Sequence, residues 1–193
     1  MIGLGIKDEE FLRGEAPMTK QEIRILSLVK AQIHPEAIVY DIGAGTGSMA
    51  VEAARLASKG HVYALERTDE GIALIHQNAE KFNIHNISIM ETEAPNGMEH
   101  LPKADVVLIG GSGGHLGDIL TSSDVKLNPR GRIVINCITT QSLSQCIDFM
   151  RARPDRYSYE AIQVQVTRLQ QVGSYDMARA LNPVYIVSCE RQR

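Results

Sequence analysis

Short apolar runs rich in β-branched residues alternate along the chain with longer stretches whose apolar positions recur every three to four residues. The short runs Ala37–Ile42, His61–Glu66, Asn86–Glu91, Ala104–Ile109 and Gly131–Cys137 predict strands. Between them Ser48–Ser58, Thr68–Phe82, Leu116–Lys126 and Ser142–Arg153 predict helices, the second with Ile72, Ile75 and Ala79 on one face. This alternation marks a parallel sheet covered by helices on both sides. Ahead of it a helix is expected to start at Thr19, whose hydroxyl caps it, with Glu22 closing a capping box and Ile23, Leu26 and Val29 or Lys30 forming the buried stripe. After Arg153 the runs Tyr159–Leu169 and Pro183–Cys189 predict two closing strands, an antiparallel pair, separated by Gly173 and a short helix-like segment. The expected fold class is α/β, a doubly wound seven-stranded sheet with an antiparallel C-terminal edge. One domain covers 1–193: an N-terminal segment and helix (1–36), a ligand-binding core (37–137) and a closing helix and strands (138–193).

Composition narrows the function. At 193 residues, 44% hydrophobic, the chain supports one sizeable core. A net charge of -3 provides no general basic field, so no nucleic-acid partner is expected. Cys137, Cys146 and Cys189 show no Cys-x-x-Cys spacing, which points to buried thiols in a reducing cytoplasm. No apolar run approaches the roughly 20 residues of a membrane span, and the acids Asp8, Glu9 and Glu10 stand where a signal peptide would be apolar. The histidines, at 34, 61, 76, 85, 100 and 115, lack ligand spacing, so no protein-bound metal is expected. Glu52 and Arg55, three apart on a helix, read as a surface pair.

The chemistry concentrates where the first strand runs into Asp41-Ile42-Gly43-Ala44-Gly45-Thr46-Gly47-Ser48. Glycines at such a turn let a ligand approach the backbone at a helix start. Their spacing differs from the dinucleotide fingerprint, which places glycines at the first, third and sixth positions; here Ser48 holds the sixth. Asp41 would also repel a pyrophosphate beside it, whereas a cationic or neutral group suits it. Glu66 ends the second strand about 20 residues on, where a carboxylate can accept both ribose hydroxyls. An adenosine-containing ligand without phosphates fits this set.

Asp41-Ile42-Gly43-Ala44-Gly45-Thr46-Gly47 followed by Glu66 resembles the first two motifs of the Rossmann-like methyltransferases, which implies S-adenosylmethionine as methyl donor and S-adenosylhomocysteine as product. The fourth strand is followed by Gly110-Gly111-Ser112-Gly113-Gly114 instead of the Asn-Pro-Pro-Tyr of many amine methyltransferases, and Asn182-Pro183-Val184-Tyr185 starts the last strand, where it reads as structural. More specifically, Ile6–Phe11, Pro17-Met18-Thr19-Lys20-Gln21-Glu22-Ile23-Arg24, Ala94-Pro95, Gly110–Gly114 and Asn182-Pro183-Val184 together resemble the cobalt-precorrin-6B C15-methyltransferases of cobalamin synthesis, which also decarboxylate their substrate.

That resemblance spans nearly the whole chain and implies cofactor contacts at Thr19, Gly43, Ala44, Gly45, Thr46, Gly47, Glu66 and Ala94, a cobalt-containing tetrapyrrole substrate and a homotetramer. The chain departs from the family pattern at Lys7, at Thr92-Glu93, which replaces Gly-Asp, and at Asn128-Pro129-Arg130-Gly131. A polycarboxylate substrate calls for a local cationic patch, for which Arg13, Lys20, Arg24 and Arg168 are candidates. Ser112 and Gly113 could meet a substrate carboxylate through backbone N–H groups, and His115 stands next to them. No catalytic side chain is singled out. A tRNA or protein methyltransferase, or a regulatory protein that binds the cofactor without turnover, are the alternatives on the same fold.

Overall fold

The computed structural model describes residues 4–192. Helix α1 (Gln21–Ala31) precedes five strands and four helices: β1 (Ile38–Ile42), α2 (Ser48–Leu56), β2 (His61–Glu66), α3 (Asp69–Lys81), β3 (Ile87–Glu91), β4 (Ala104–Ile109), α4 (Leu116–Lys126), β5 (Leu127–Cys137) and α5 (Thr140–Arg151). Four strands close the chain: β6 (Tyr157–Val164), β7 (Thr167–Val172), β8 (Tyr175–Ala180) and β9 (Val184–Arg191). The main sheet has the order β3-β2-β1-β4-β5-β9-β6, its first five strands parallel and β9 inserted antiparallel between β5 and β6. The expected seven-stranded α/β sheet with an antiparallel edge is therefore present.

Both faces of the sheet are buried, which is why its strands read as nearly continuous apolar runs. Tyr40, Ile42, Val107, Ile109, Ile133 and Ile135 pack beneath α4 and α5, while Val39, Val62, Ala64, Val106, Leu108 and Val134 pack beneath α1, α2 and α3. The chain leaves β1 toward β2 on one side and reaches β4 on the other. That reversal opens a crevice at the carboxyl ends of β1 and β4, where ligands bind in sheets of this kind.

Three local expectations need correction. The segment after Gly173 is a strand, not a helix: β7 and β8 form a separate two-stranded sheet, joined by Gly173-Ser174 with positive φ at Gly173. Glycine first in a two-residue connection is the type II′ hairpin pattern, and pairing across it overrides the helix preference of Met177-Ala178-Arg179-Ala180. Tyr159–Leu169 is accordingly broken, with β6 ending at Val164.

At α1, Lys20 occupies the cap position and no side chain caps the helix. The Thr19 carbonyl is instead drawn to Arg24 Nη1 at 2.7 Å, and Glu22 faces Arg168. The helix buries Ile23, Arg24, Ser27, Leu28 and Ala31 and leaves Val29 exposed.

Glu52 is not a surface residue. It is 1% exposed and accepts from Arg24 Nε at 2.6 Å and from the Gly5 N–H at 2.7 Å. Arg24, itself fully buried, also bonds Asp8 at 3.3 Å and donates to the Ile6 carbonyl. One guanidinium thus ties α1, α2 and the N-terminal segment together, and it has no free donor face to offer a substrate.

Candidate active site

The Gly43–Gly47 turn carries three residues with positive φ, Gly43 (68°), Gly45 (54°) and Gly47 (75°). Two of them are also points of close approach. A Cβ on Gly43 would lie 2.4 Å from the Gly111 carbonyl oxygen, and one on Gly45 2.6 Å from that of Pro17. The turn is therefore clamped between the glycine loop after β4 and the N-terminal segment, and no side chain fits in either gap. Its N–H groups are mostly engaged: Gly43 and Ala44 donate to the Leu65 carbonyl, Gly47 to that of Ala44, and Gly45 to Glu66. A phosphate cradle needs those donors free, so the turn suits a ligand held by shape.

Glu66 is fixed by four donors. Its Oε2 accepts from the Gly45 N–H at 2.9 Å; its Oε1 accepts from the Arg67 N–H, the Thr68 N–H and the Thr68 hydroxyl at 2.8–3.0 Å. Burial alone would raise its pKa, but these hydrogen bonds outweigh burial and hold it below the usual carboxylate range. Asp41, at the end of β1, behaves in the opposite way. It is 1% exposed, its Oδ2 has no protein partner, and burial, with a smaller push from Glu66, raises its pKa to about 7 despite the Ala50 backbone N–H. Two carboxyl groups on adjacent strands thus stand in different protonation regimes at neutral pH.

Around them lies a cleft of about 800 Å³, bounded by the segment Glu15–Lys20, the carboxyl ends of β1 and β2, the turns after β3 and β4, and Asn136, Ile138 and Asn182–Val184 near the closing strands. This volume exceeds what one nucleoside-sized ligand needs and leaves room for part of a second molecule. Thr19, Gly43, Ala44, Gly45, Glu66, Ala94, Lys20, Ser112 and Gly113 all line it. Thr46 and Gly47 sit behind the wall: the Thr46 carbonyl accepts from Asn78, its hydroxyl is buried without a partner, and Gly47 packs against Ile75. Glu93 pairs with Arg67 at the rim, with His115 Nε2 at 3.8 Å. Among the described residues no group of three or more His, Cys, Asp or Glu is arranged to hold a metal ion.

Of the candidate cations, Lys20 is at the cleft, and with Arg13 it lines a shallow recess beside it. Arg24 must be withdrawn as a substrate contact because it is fully buried and paired. Arg168, on β7, is outside the cleft wall; it bonds both Glu22 oxygens at 2.9 and 2.8 Å, lies 3.5 Å from Asp8 Oδ2, and holds Glu22 below the usual carboxylate range. Sequence reasoning missed Asn136, Asn182 and Arg67 as cleft residues. For Asn136 a signal existed: it interrupts the apolar alternation Val134, Asn136, Ile138.

The sequence profile described as the precorrin methyltransferase domain matches residues 10–191. The chain belongs to this family. As a family member it is similar to a probable cobalt-precorrin-6B C(15)-methyltransferase (decarboxylating) of Sulfurisphaera tokodaii, at 38% identity over 97% of each chain. It is 36% identical to the cobalt-precorrin-6B C(15)-methyltransferase (decarboxylating) of Salmonella typhimurium, over 97% of this chain and 96% of that one. Among solved structures, the precorrin-6y C5,15-methyltransferase of Geobacter metallireducens superposes with a TM-score of 0.91 at 36% identity, covering 97% of this precorrin methyltransferase chain and 98% of its own.

Proposed function

We propose that this chain transfers a methyl group from S-adenosylmethionine to C15 of cobalt-precorrin-6B and releases carbon dioxide from a ring acetate, the reaction named for its relatives. The observation that carries the reading is the extent of the cleft: a glycine-built end at the carboxyl ends of β1 and β2, continuous with an end lined by Asn136, Val166, Leu181, Asn182 and Val184. The residues present fit the methyl donor. The turn has few free N–H groups for phosphates, Glu66 is anchored at the end of β2, and the unpartnered oxygen of buried Asp41 suits a cationic neighbour. When bound, S-adenosylmethionine supplies an electrophilic methyl group on a sulfonium.

The chain's own contribution is placement. Gly43–Gly45, Thr19, Glu66 and Ala94 hold the cofactor end, and the loop Gly110–Gly114, whose one side chain is that of Ser112, leaves an open approach for a broad macrocycle. Lys20 and Arg13 offer positive charge to peripheral carboxylates. A reduced tetrapyrrole is electron-rich at its bridging carbons, so alignment supplies most of what the methyl transfer requires. The cobalt travels with the substrate.

We also read the assembly as a homotetramer acting in the cytoplasm. The hairpin β7–β8 supports self-association, since Leu169 and Tyr175 are 74% and 75% exposed on a sheet with no core of its own. The three buried free thiols suit a reducing compartment.

The test is an anaerobic incubation with methyl-labelled S-adenosylmethionine and enzymatically prepared cobalt-precorrin-6B, with bulk tRNA and acceptor-free mixtures alongside. A product that has gained one methyl group and lost carbon dioxide is expected. Label in tRNA, or in no acceptor, would overturn the reading.

A further inference from the structure

On the face of β5 that looks toward α1, Asn136 stands between Val134 and Ile138, and its partner across the sheet on β9 is Ile186. An apolar side chain would pack there at no polar cost, whereas an amide requires partners. The protein supplies one. The Ser27 hydroxyl lies 2.9 Å from the Asn136 amide and shares its one proton with the Ile23 carbonyl at 2.8 Å. No hydrogen bond from Nδ2 to a described residue accompanies it, and Asn136 lines the cleft. The amide is thus held along one edge by Ser27, with N–H donor capacity left for whatever fills this part of the cleft.

The surroundings are uncharged: Ile23, Val166, Leu181 and Val184 share this wall. Among the described side chains lining the cleft, only Lys20 and Arg67 are cationic. Lys20 precedes Ser27 by about 10 Å of helix, and Arg67 is paired with Glu93. Arg24, Lys30 and Arg168, cations on or beside α1, are held by Asp8, Glu22, Glu52 and Glu160.

We propose that this cation-free wall, with the Asn136 amide as donor, is the subsite for the one substrate carboxylate that leaves as carbon dioxide. The inference rests on the reaction proposed above. In that step the bond between the acetate methylene and its carboxyl carbon breaks. Its electron pair passes into the conjugated macrocycle, neutral carbon dioxide departs, and water supplies the proton that completes a methyl group. Negative charge on the carboxyl oxygens disappears as the bond breaks. A guanidinium or ammonium ion paired with that carboxylate would stabilise the substrate more than the transition state and slow the step. Neutral amide donors orient the acetate with less ground-state stabilisation, and an apolar wall favours the loss of charge. The carboxylates that survive the reaction have no such constraint, and they suit Lys20 and Arg13 at the rim.

The test compares carbon dioxide released with S-adenosylhomocysteine formed, for the full-length parent, Asn136→Ala and Ser27→Ala, with S-adenosylhomocysteine binding measured calorimetrically to show that each variant is folded. For the parent a ratio of one is expected. Asn136→Ala should lower the ratio about tenfold, with a methylated product that retains its carboxyl group, and Ser27→Ala should lower it about threefold. A ratio that stays at one in both variants overturns the subsite and leaves the reaction standing. A parent that binds S-adenosylhomocysteine but forms neither product overturns both readings. If Asn136→Ala fails to bind S-adenosylhomocysteine, Ser27→Ala decides by the same ratio.

Discussion

The two ends of the cleft are built by different means. At the end proposed for the cofactor the wall is largely backbone, glycines whose added Cβ atoms would strike neighbouring carbonyls, joined by two carboxyl groups with opposed pKa shifts. At the far end the wall is side chains, apolar ones with Asn136 and Asn182 among them. A backbone wall cannot adapt, so it fixes one ligand in one pose; a side-chain wall can be retuned by substitution without disturbing the fold. The first is suited to a donor shared by many enzymes, and the second to an acceptor shared by few.

Substitution can break this contrast most sharply at Gly43. Gly43→Ala adds a Cβ at a φ of 68° and 2.4 Å from the Gly111 carbonyl oxygen. It should weaken S-adenosylhomocysteine binding by about a hundredfold, measured by calorimetry, whereas Ile138→Ala at the far end should leave that affinity nearly unchanged. Next comes Glu66→Gln, which keeps the shape but removes the charge from an acceptor of four hydrogen bonds. A loss of roughly thirtyfold in the same measurement is expected.

Asp41 makes the cofactor end sensitive to pH. Its carboxyl group is protonated below about 7 in the folded protein, against 3.8 for an unperturbed aspartate. The folded state therefore retains a proton that the unfolded chain gives up. This position's contribution to stability is full below the unfolded value and is lost as pH rises through the folded one. Asp41→Asn should flatten the decline in denaturant stability between about pH 4 and about pH 7. A cationic ligand favours the ionised form, so binding should release protons near neutral pH, detectable as a buffer-dependent binding enthalpy. The smallest effect belongs to the rim. Lys20→Glu should raise KM for the tetrapyrrole about threefold and flatten its dependence on salt, leaving cofactor affinity alone.

The geometry of the glycine turn and of Glu66 was largely legible in the sequence because its requirements are local. A strand running into glycines at fixed offsets, with an acid ending the next strand, is a constraint on neighbouring residues. The doubly wound sheet was legible for a related reason, since strands buried on both faces need unbroken apolar runs. What escaped depends on contacts between distant residues. Nothing near Arg24 in sequence announces that Glu52, on the next helix, turns inward to meet it. With Glu52 taken as the surface partner of Arg55, Arg24 remained a free cation on paper. The β7–β8 hairpin is a different case: Gly173-Ser174 between two pairing runs was a usable turn signal, outweighed by the helix formers that follow it.

Chain ends are usually the parts of a protein most tolerant of trimming. Here the segment from Gly5 to Asp8 supplies two carbonyl or carboxylate acceptors to a guanidinium with no access to water, and an N–H donor to the carboxylate beside it. Cutting the chain after Asp8 would leave Arg24 its pair with Glu52 and its bond to the Thr19 carbonyl but remove its other two acceptors, and Glu52 would lose the Gly5 N–H; each buried polar group left unsatisfied costs about 1–3 kcal/mol. The same cut would loosen the Pro17–Thr19 stretch that Arg24 holds against the glycine turn. In this protein Ile6 and Asp8 are buried alongside the helices they meet, and a fusion or protease that disturbs them acts on the cleft.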